Sequence, residues 1–290
     1  RHPSELTGKP GIVSNCAMSG SRGLPVENDG HSWRIRLAAA TLVSPLILAP
    51  SIATAAMFWA RYESIQLHPE AAAKRSPTIS RAIADPRIGD PFAVWMLLVA
   101  ALQAFAVYRI AQAMYRTVIL NTPPARRPLM MSLFVMMLLC QTSGVAGVIT
   151  LSQYTGSISD YLHQMGSYLM FYGNGFSILF CGIFVWQDHK HRVHGAAEPP
   201  IPYIVRVHTR FAGVVTVVSL FFAFLFFAYT PLQAMNDYVY RIFFAMCELV
   251  LLIASLIYLG SFIVPMYRHE CYLLQRRLPG REAVPAASEA

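Results

Sequence analysis

The sequence predicts an all-α, polytopic membrane protein with six transmembrane helices and both termini on the cytoplasmic side. Three observations predict it. The 290-residue chain is 55% hydrophobic and 13% charged, with a mean hydropathy of +0.44, against about 25% charged residues in an ordinary soluble domain. It holds repeated apolar stretches of about 20 residues, the length a helix needs to cross a bilayer's hydrocarbon core. Its Lys and Arg, which leave a net charge of +8, sit between those stretches, where they act as topology determinants rather than as a nucleic-acid patch.

Residues 1–32 are rich in Gly, Ser and Pro without apolar periodicity and read as a flexible tail. The membrane domain follows over 33–266. Span one covers about 34–59 and contains Pro45 and Pro50, so a kink is expected there. A polar segment from Arg61 to Asp90 leads to span two at about 91–115, with Pro91 in its first turn. The stiff connector NTPPARRP precedes span three at about 129–154, and the loop TGSISDYLHQ precedes span four at about 165–186. The histidine-rich connector DHKHRVHGAAEPPIPYIVRVHTR joins span five, about 211–229, and TPLQAMND joins span six, which ends at Pro265. Residues 267–290 read as a second flexible tail. Most of the 23 Lys and Arg fall in the tails and the second and fourth loops, which sets these segments inside. The first loop carries five others, Arg61, Lys74, Arg75, Arg81 and Arg87.

Span six, RIFFAMCELVLLIASLIYLGSFIVP, holds one carboxylate, Glu248, near its middle. A charge at that depth is costly, so it is expected to face the protein interior, find a donor or stay protonated. Glu248 is therefore the first candidate for a lipid- or ligand-binding acid. A purely structural carboxyl would instead bond Gln103, Gln141, Thr142, Ser143 or Asn174 on neighbouring spans. Asp160 and His163 share a helical face at the start of span four. With Asp237 and Arg241 they can form a polar rim cluster, although a helix-capping role is the simpler reading. Asn174 and Gln141 complete the candidate ligand set. Arg109, Arg116, Arg126 and Arg127 are candidates for contact with anionic headgroups. Gly144, Gly147, Gly166, Gly173 and Gly175 are read as close-packing positions, and Trp59, Trp95, Trp186, Tyr154 and Tyr229 as an interfacial belt.

His189, His191 and His194 match no metal-site pattern, no histidine falls within the expected spans, and the five cysteines form no disulfide framework. No phosphate-binding loop, nucleophile elbow or metallopeptidase motif is present. Neither catalytic set, metal nor cofactor is expected, and the partners expected are membrane lipids and other membrane subunits, not nucleic acid.

At these residues the chain resembles the six-span family that includes the damage-regulated autophagy modulators (DRAM) and the proteins that remodel the lipid of GPI anchors. The likeness rests on SPTIS at Ser76–Ser80 followed by Pro86 and Phe92, on the Gly144–Gly147 pair, on HQMGSYLMF from His163, and on Cys247-Glu248-Leu249. It extends over about 34–265. Arg81 and Ala82 stand where the family usually has Asp and Gly, and Leu249 where many members have Trp. The resemblance implies an endomembrane or plasma-membrane protein tied to lipid handling or trafficking, with no agreed catalytic residue and with His163 and Glu248 as the polar positions carried over. A lipid-associated regulator or remodelling factor is thus the expected function, and an accessory subunit of a larger membrane complex is the alternative.

Overall fold

The structure, a computed structural model, describes residues 32–74, 77–191, 205–227 and 237–276. Among these the chain is helical, with no strand. Both expected tails lie mostly outside the described residues, as do His194, Tyr229 and the TPLQAMN part of the last loop.

Helix α1 (Ser32–Val43) and helix α2 (Pro45–Leu67) meet at 42°. The break falls where expected: Pro45 has no N–H to give the preceding turn, and its ring bars a straight continuation. The polar segment after Arg61 is not the loop that the sequence suggests. Helix α2 continues to Leu67, and two short helices follow, α3 (Pro69–Lys74) and α4 (Ile79–Ala82). Thr78 caps α4 by accepting the Arg81 N–H at 3.3 Å.

Helix α5 (Pro86–Met114) starts ahead of the expected Pro91. Asp85 accepts the Arg87 N–H at 3.0 Å, and Pro86 occupies the first turn, where a missing N–H costs nothing. Pro91 lies inside the helix. A π-helical turn, Tyr115–Ile119, ends it, and Asn121 Nδ2 donates to the Thr117 carbonyl at 3.1 Å. The remaining helices are α6 (Arg127–Gln153), α7 (Asp160–His191), α8 (Val205–Phe227), α9 (Asp237–Gly260) and α10 (Ile263–Arg276). Helix α10 occupies sequence that reads as the start of a tail, and it packs against α1. Helix α8 begins before the expected fifth span, so His208 lies within a helix. It is buried and its Nε2 is 2.9 Å from Ser261 Oγ.

The segments Pro86–Ile119, Arg127–Gln153, Asp160–Lys190 and Val239–Gln275 are each long and apolar enough to cross a membrane, and the bent α1–α2 pair makes a fifth if counted as one span. In α8 the described apolar stretch, His208–Phe222, is shorter. Leu97, Leu139, Val217, Leu220, Phe243 and Val250 are exposed on these helices. Such apolar surface suits lipid rather than water.

The tightest seam joins α6 to α7. A Cβ on Gly147 would overlap the Met170 backbone nitrogen, and one on Gly144 would lie 2.8 Å from Asn174 Oδ1. Only glycine lets these two backbones approach so closely, which is the packing role expected of them. One apolar core gathers α5, α6, α7, α8 and α9 around Phe134, Phe184, Val215 and Leu251. A second gathers α2, α4 and α5 around Ala53, Met57, Ile79 and Phe92.

Candidate functional site

Glu248 sits on α9 and is buried, with 6% of its surface exposed. The elements that enclose it are α2 and the short helix α4. Ile79 N–H and the Ser80 hydroxyl donate hydrogen bonds to its carboxylate, and the Arg61 guanidinium on α2 supplies opposite charge. This geometry follows from local sequence. Thr78 starts α4, leaving the Ile79 N–H at a helix start, where it has no intrahelical acceptor. Buried Ile79, Ala82 and Ile83 then anchor the short helix against Ala53, Ala56, Met57 and Ala60 of α2. An anion at the start of α4 is thus met by a backbone donor, a hydroxyl and a cation.

None of the amide and hydroxyl side chains expected to serve Glu248 does so. Gln103 Nε2 and Gln141 Nε2 both donate to Asn174 Oδ1, at 3.5 and 3.1 Å. Thr142 and Ser143 turn back onto the carbonyls of Leu138 and Leu139 in their own helix. Glu248 and the Gln141–Asn174 pair, expected to share one ligand set, therefore belong to two separate polar clusters. Helical periodicity links them: Glu248, Leu252, Ser255 and Leu259 fall on one stripe of α9, and the last three line a cleft that Gln103, Gln141 and Asn174 also line. Met57 of α2 lines the same cleft, one turn from Arg61. Glu248 and Arg61 thus stand one helical turn beyond the lining residues Leu252 and Met57.

At the rim, His163 Nδ1 lies 3.0 Å from the Tyr154 carbonyl, and Asp160 is exposed in the first turn of α7. His163 ties the α6–α7 turn, and the side chain that accepts a backbone N–H at the start of α7 is Ser159, from Leu162 at 3.4 Å. The side chain of Asp237 lies outside the described residues. Nearby, Asp85 ties the α2 end to the α5 start, with His68 Nε2 at 3.0 Å and Arg87 Nη2 at 2.6 Å. Those hydrogen bonds, Arg87's first, hold the Asp85 carboxyl well below the usual carboxylate range. Ser157 Oγ donates to the Ala84 carbonyl at 3.2 Å, joining the two loops at this end of the bundle.

Of the four candidate headgroup arginines, Arg109 faces inward. It forms an ion pair with buried Glu270 of α10, and its Nη1 donates to Gln112 Oε1 at 2.9 Å. Arg116 is half-buried on the π-helical turn, while Arg126 and Arg127 are exposed beside the α5–α6 connector. Among the described residues, no cluster of His, Cys, Asp or Glu is arranged to hold a metal ion.

The sequence reading missed Ser80, Arg61, Asp85 and Glu270. Thr78 and the Asp85–Pro86 dipeptide were legible helix-start signals; the fold-back of α4 onto span six carries no local signal.

Fold and site together define an all-helical membrane protein with a sheltered intrahelical acid. Comparison of the chain with protein-family models, with curated proteins and with solved structures finds no match in any of the three.

Proposed function

We propose that the chain is a six-span membrane protein of the DRAM-like kind, termini cytoplasmic, that acts as a lipid-associated regulator or as a remodelling and trafficking factor. In this reading the bent α1–α2 pair is the first span and α8 the fifth. The observation that carries the proposal is the meeting of Pro77–Ser80 with Cys247-Glu248-Leu249. Both segments carry the family likeness, they are far apart in sequence, and Ser80 and Ile79 bond Glu248 directly. The contact lies one helical turn from an apolar cleft between the helices, an arrangement suited to an amphipathic molecule held inside the bilayer.

The test is the native mass of the full chain released gently from membranes. The proposal expects the protein alone or self-associated, carrying lipid that is reduced at least about threefold by Glu248→Leu and less by Glu248→Gln. A stoichiometric foreign subunit with no retained lipid would instead make the chain an accessory subunit.

A further inference from the structure

The central cleft has a shape and a chemistry that Glu248 does not use. Its volume is about 100 Å³. It runs along α5 from Met96 to Ile110, along α7 from Met170 to Cys181 and along α9 from Leu252 to Leu259, with Phe262 just beyond the end of α9. At 1.5 Å per residue these stretches measure ~10–21 Å. A small volume drawn out over that length makes a narrow slot, the form of one extended hydrocarbon chain rather than a compact solute.

Its lining is chiefly apolar and includes no Asp, Glu, Lys, Arg or His among the described residues. An ionised phosphate or ammonium headgroup would have no counter-charge there and would pay the full cost of leaving water. Its polar groups are the hydroxyls of Ser177, Ser255 and Tyr258 and, as a group of neighbouring side chains bonded to each other across three helices, the amide cluster. Gln103, Gln141 and Asn174 lie near the middles of α5, α6 and α7, and all three line the slot. Asn174 Oδ1 accepts from both glutamines, while Asn174 Nδ2 and the glutamine Oε1 atoms hold no hydrogen bond among the described residues. A donor and two acceptors therefore remain for an occupant at this depth.

We infer that the slot binds an uncharged single-chain lipid whose hydroxyl or carbonyl meets the Gln103–Gln141–Asn174 amides and whose chain extends along α9. The inference deepens the lipid-handling reading and rests on it, but it concerns a different set of residues from Glu248 and its partners. Ser255 of α9 lines the slot, so a larger side chain there would fill it.

The experiment uses the full chain reconstituted in phosphatidylcholine vesicles, with a photoactivatable long-chain alcohol as probe and a photoactivatable phosphatidylcholine as its charged-headgroup comparison. Peptide mapping should place the alcohol on the slot-lining stretches of α5, α7 and α9, at least about fivefold above exposed apolar positions such as Leu220 and Val217. Unlabelled alcohol should compete, and Ser255→Phe should abolish the excess. Gln141→Leu, which keeps the side chain's size and removes its amide, should reduce it at least about threefold, and it decides the matter should Ser255→Phe not fold by size-exclusion. Equal labelling of the slot and the exposed positions, slot labelling unchanged in the folded variants, or preferential slot labelling by the phosphatidylcholine probe would overturn the inference. Were lipid retention still to depend on Glu248, such a result would remove the slot alone. Loss of both would remove the lipid-handling function as well.

Discussion

Asp85 shows how single residues organise the end of the bundle that caps the site. Its carboxylate accepts the Arg87 side chain and backbone N–H and pairs with His68, which fixes where α2 ends and α5 begins. These donors favour the charged form, so the folded pKa lies below the unfolded one. The contribution to stability is therefore fully present above the unfolded value of about 3.9 and drains away only as pH falls through the lower, folded value. The carboxyl carbon of Asp85, followed by NMR, is expected to titrate below the ordinary aspartate midpoint, and Arg87→Ala should move it upward. A wild-type midpoint at about 3.9 contradicts this geometry.

At the scale of elements, two seams carry most of the argument. The α6–α7 seam has no room for a side chain at Gly147, where the obstacle is the backbone of Met170. Gly147→Ala is expected to cost about 1–3 kcal/mol through overpacking. A methyl group on Gly213 of α8 would meet nothing within 4 Å, so Gly213→Ala should hold stability or raise it by about 0.5–1 kcal/mol through helix propensity. Thermal unfolding in one detergent compares the two, and equal effects would contradict the seam. The second seam is α5 against α10, through Arg109 and Glu270. Glu270→Ala leaves a largely buried guanidinium without its carboxylate and is expected to cost about 3–5 kcal/mol. Replacing the pair with Arg109→Met and Glu270→Leu should recover most of that loss, since both charges then vanish together. Additive losses in the double variant would show that the pair does not act as a unit.

The two seams also mark what was legible in the sequence. Gly144 and Gly147 announce close helix approach because small residues at that spacing have few other uses in a membrane span. Arg109 gives no such signal. Spaced seven from Arg116, it reads as a snorkelling residue; its partner Glu270 lies where the chain reads as a tail, and only the α10 helix brings the two together. Helix starts at Asp85 and Thr78 were written in capping residues, yet the polar composition of 61–90 masked them.

For the molecule as a whole, hydropathy sets the spans, and tertiary packing alone decides what meets Glu248. An acid in an apolar helix must find donors, and the nearest by sequence logic are the mid-span amides. The fold turns those amides toward one another at Asn174 Oδ1 and turns the loop between α2 and α5 inward instead, so that α4 supplies the donors. Ile79 opens α4, so its N–H has no acceptor within that helix, and its protection from solvent exchange depends on the Glu248 carboxylate. Residue-resolved hydrogen exchange at the Ile79 amide is the most direct test. We expect slow exchange in the wild-type chain, exchange at least about tenfold faster in Glu248→Leu, and an intermediate rate in Glu248→Gln, which keeps an acceptor. An Ile79 amide that exchanges at an open-loop rate in the wild type, or that does not respond to Glu248→Leu, would contradict the sheltered acid and the site built on it.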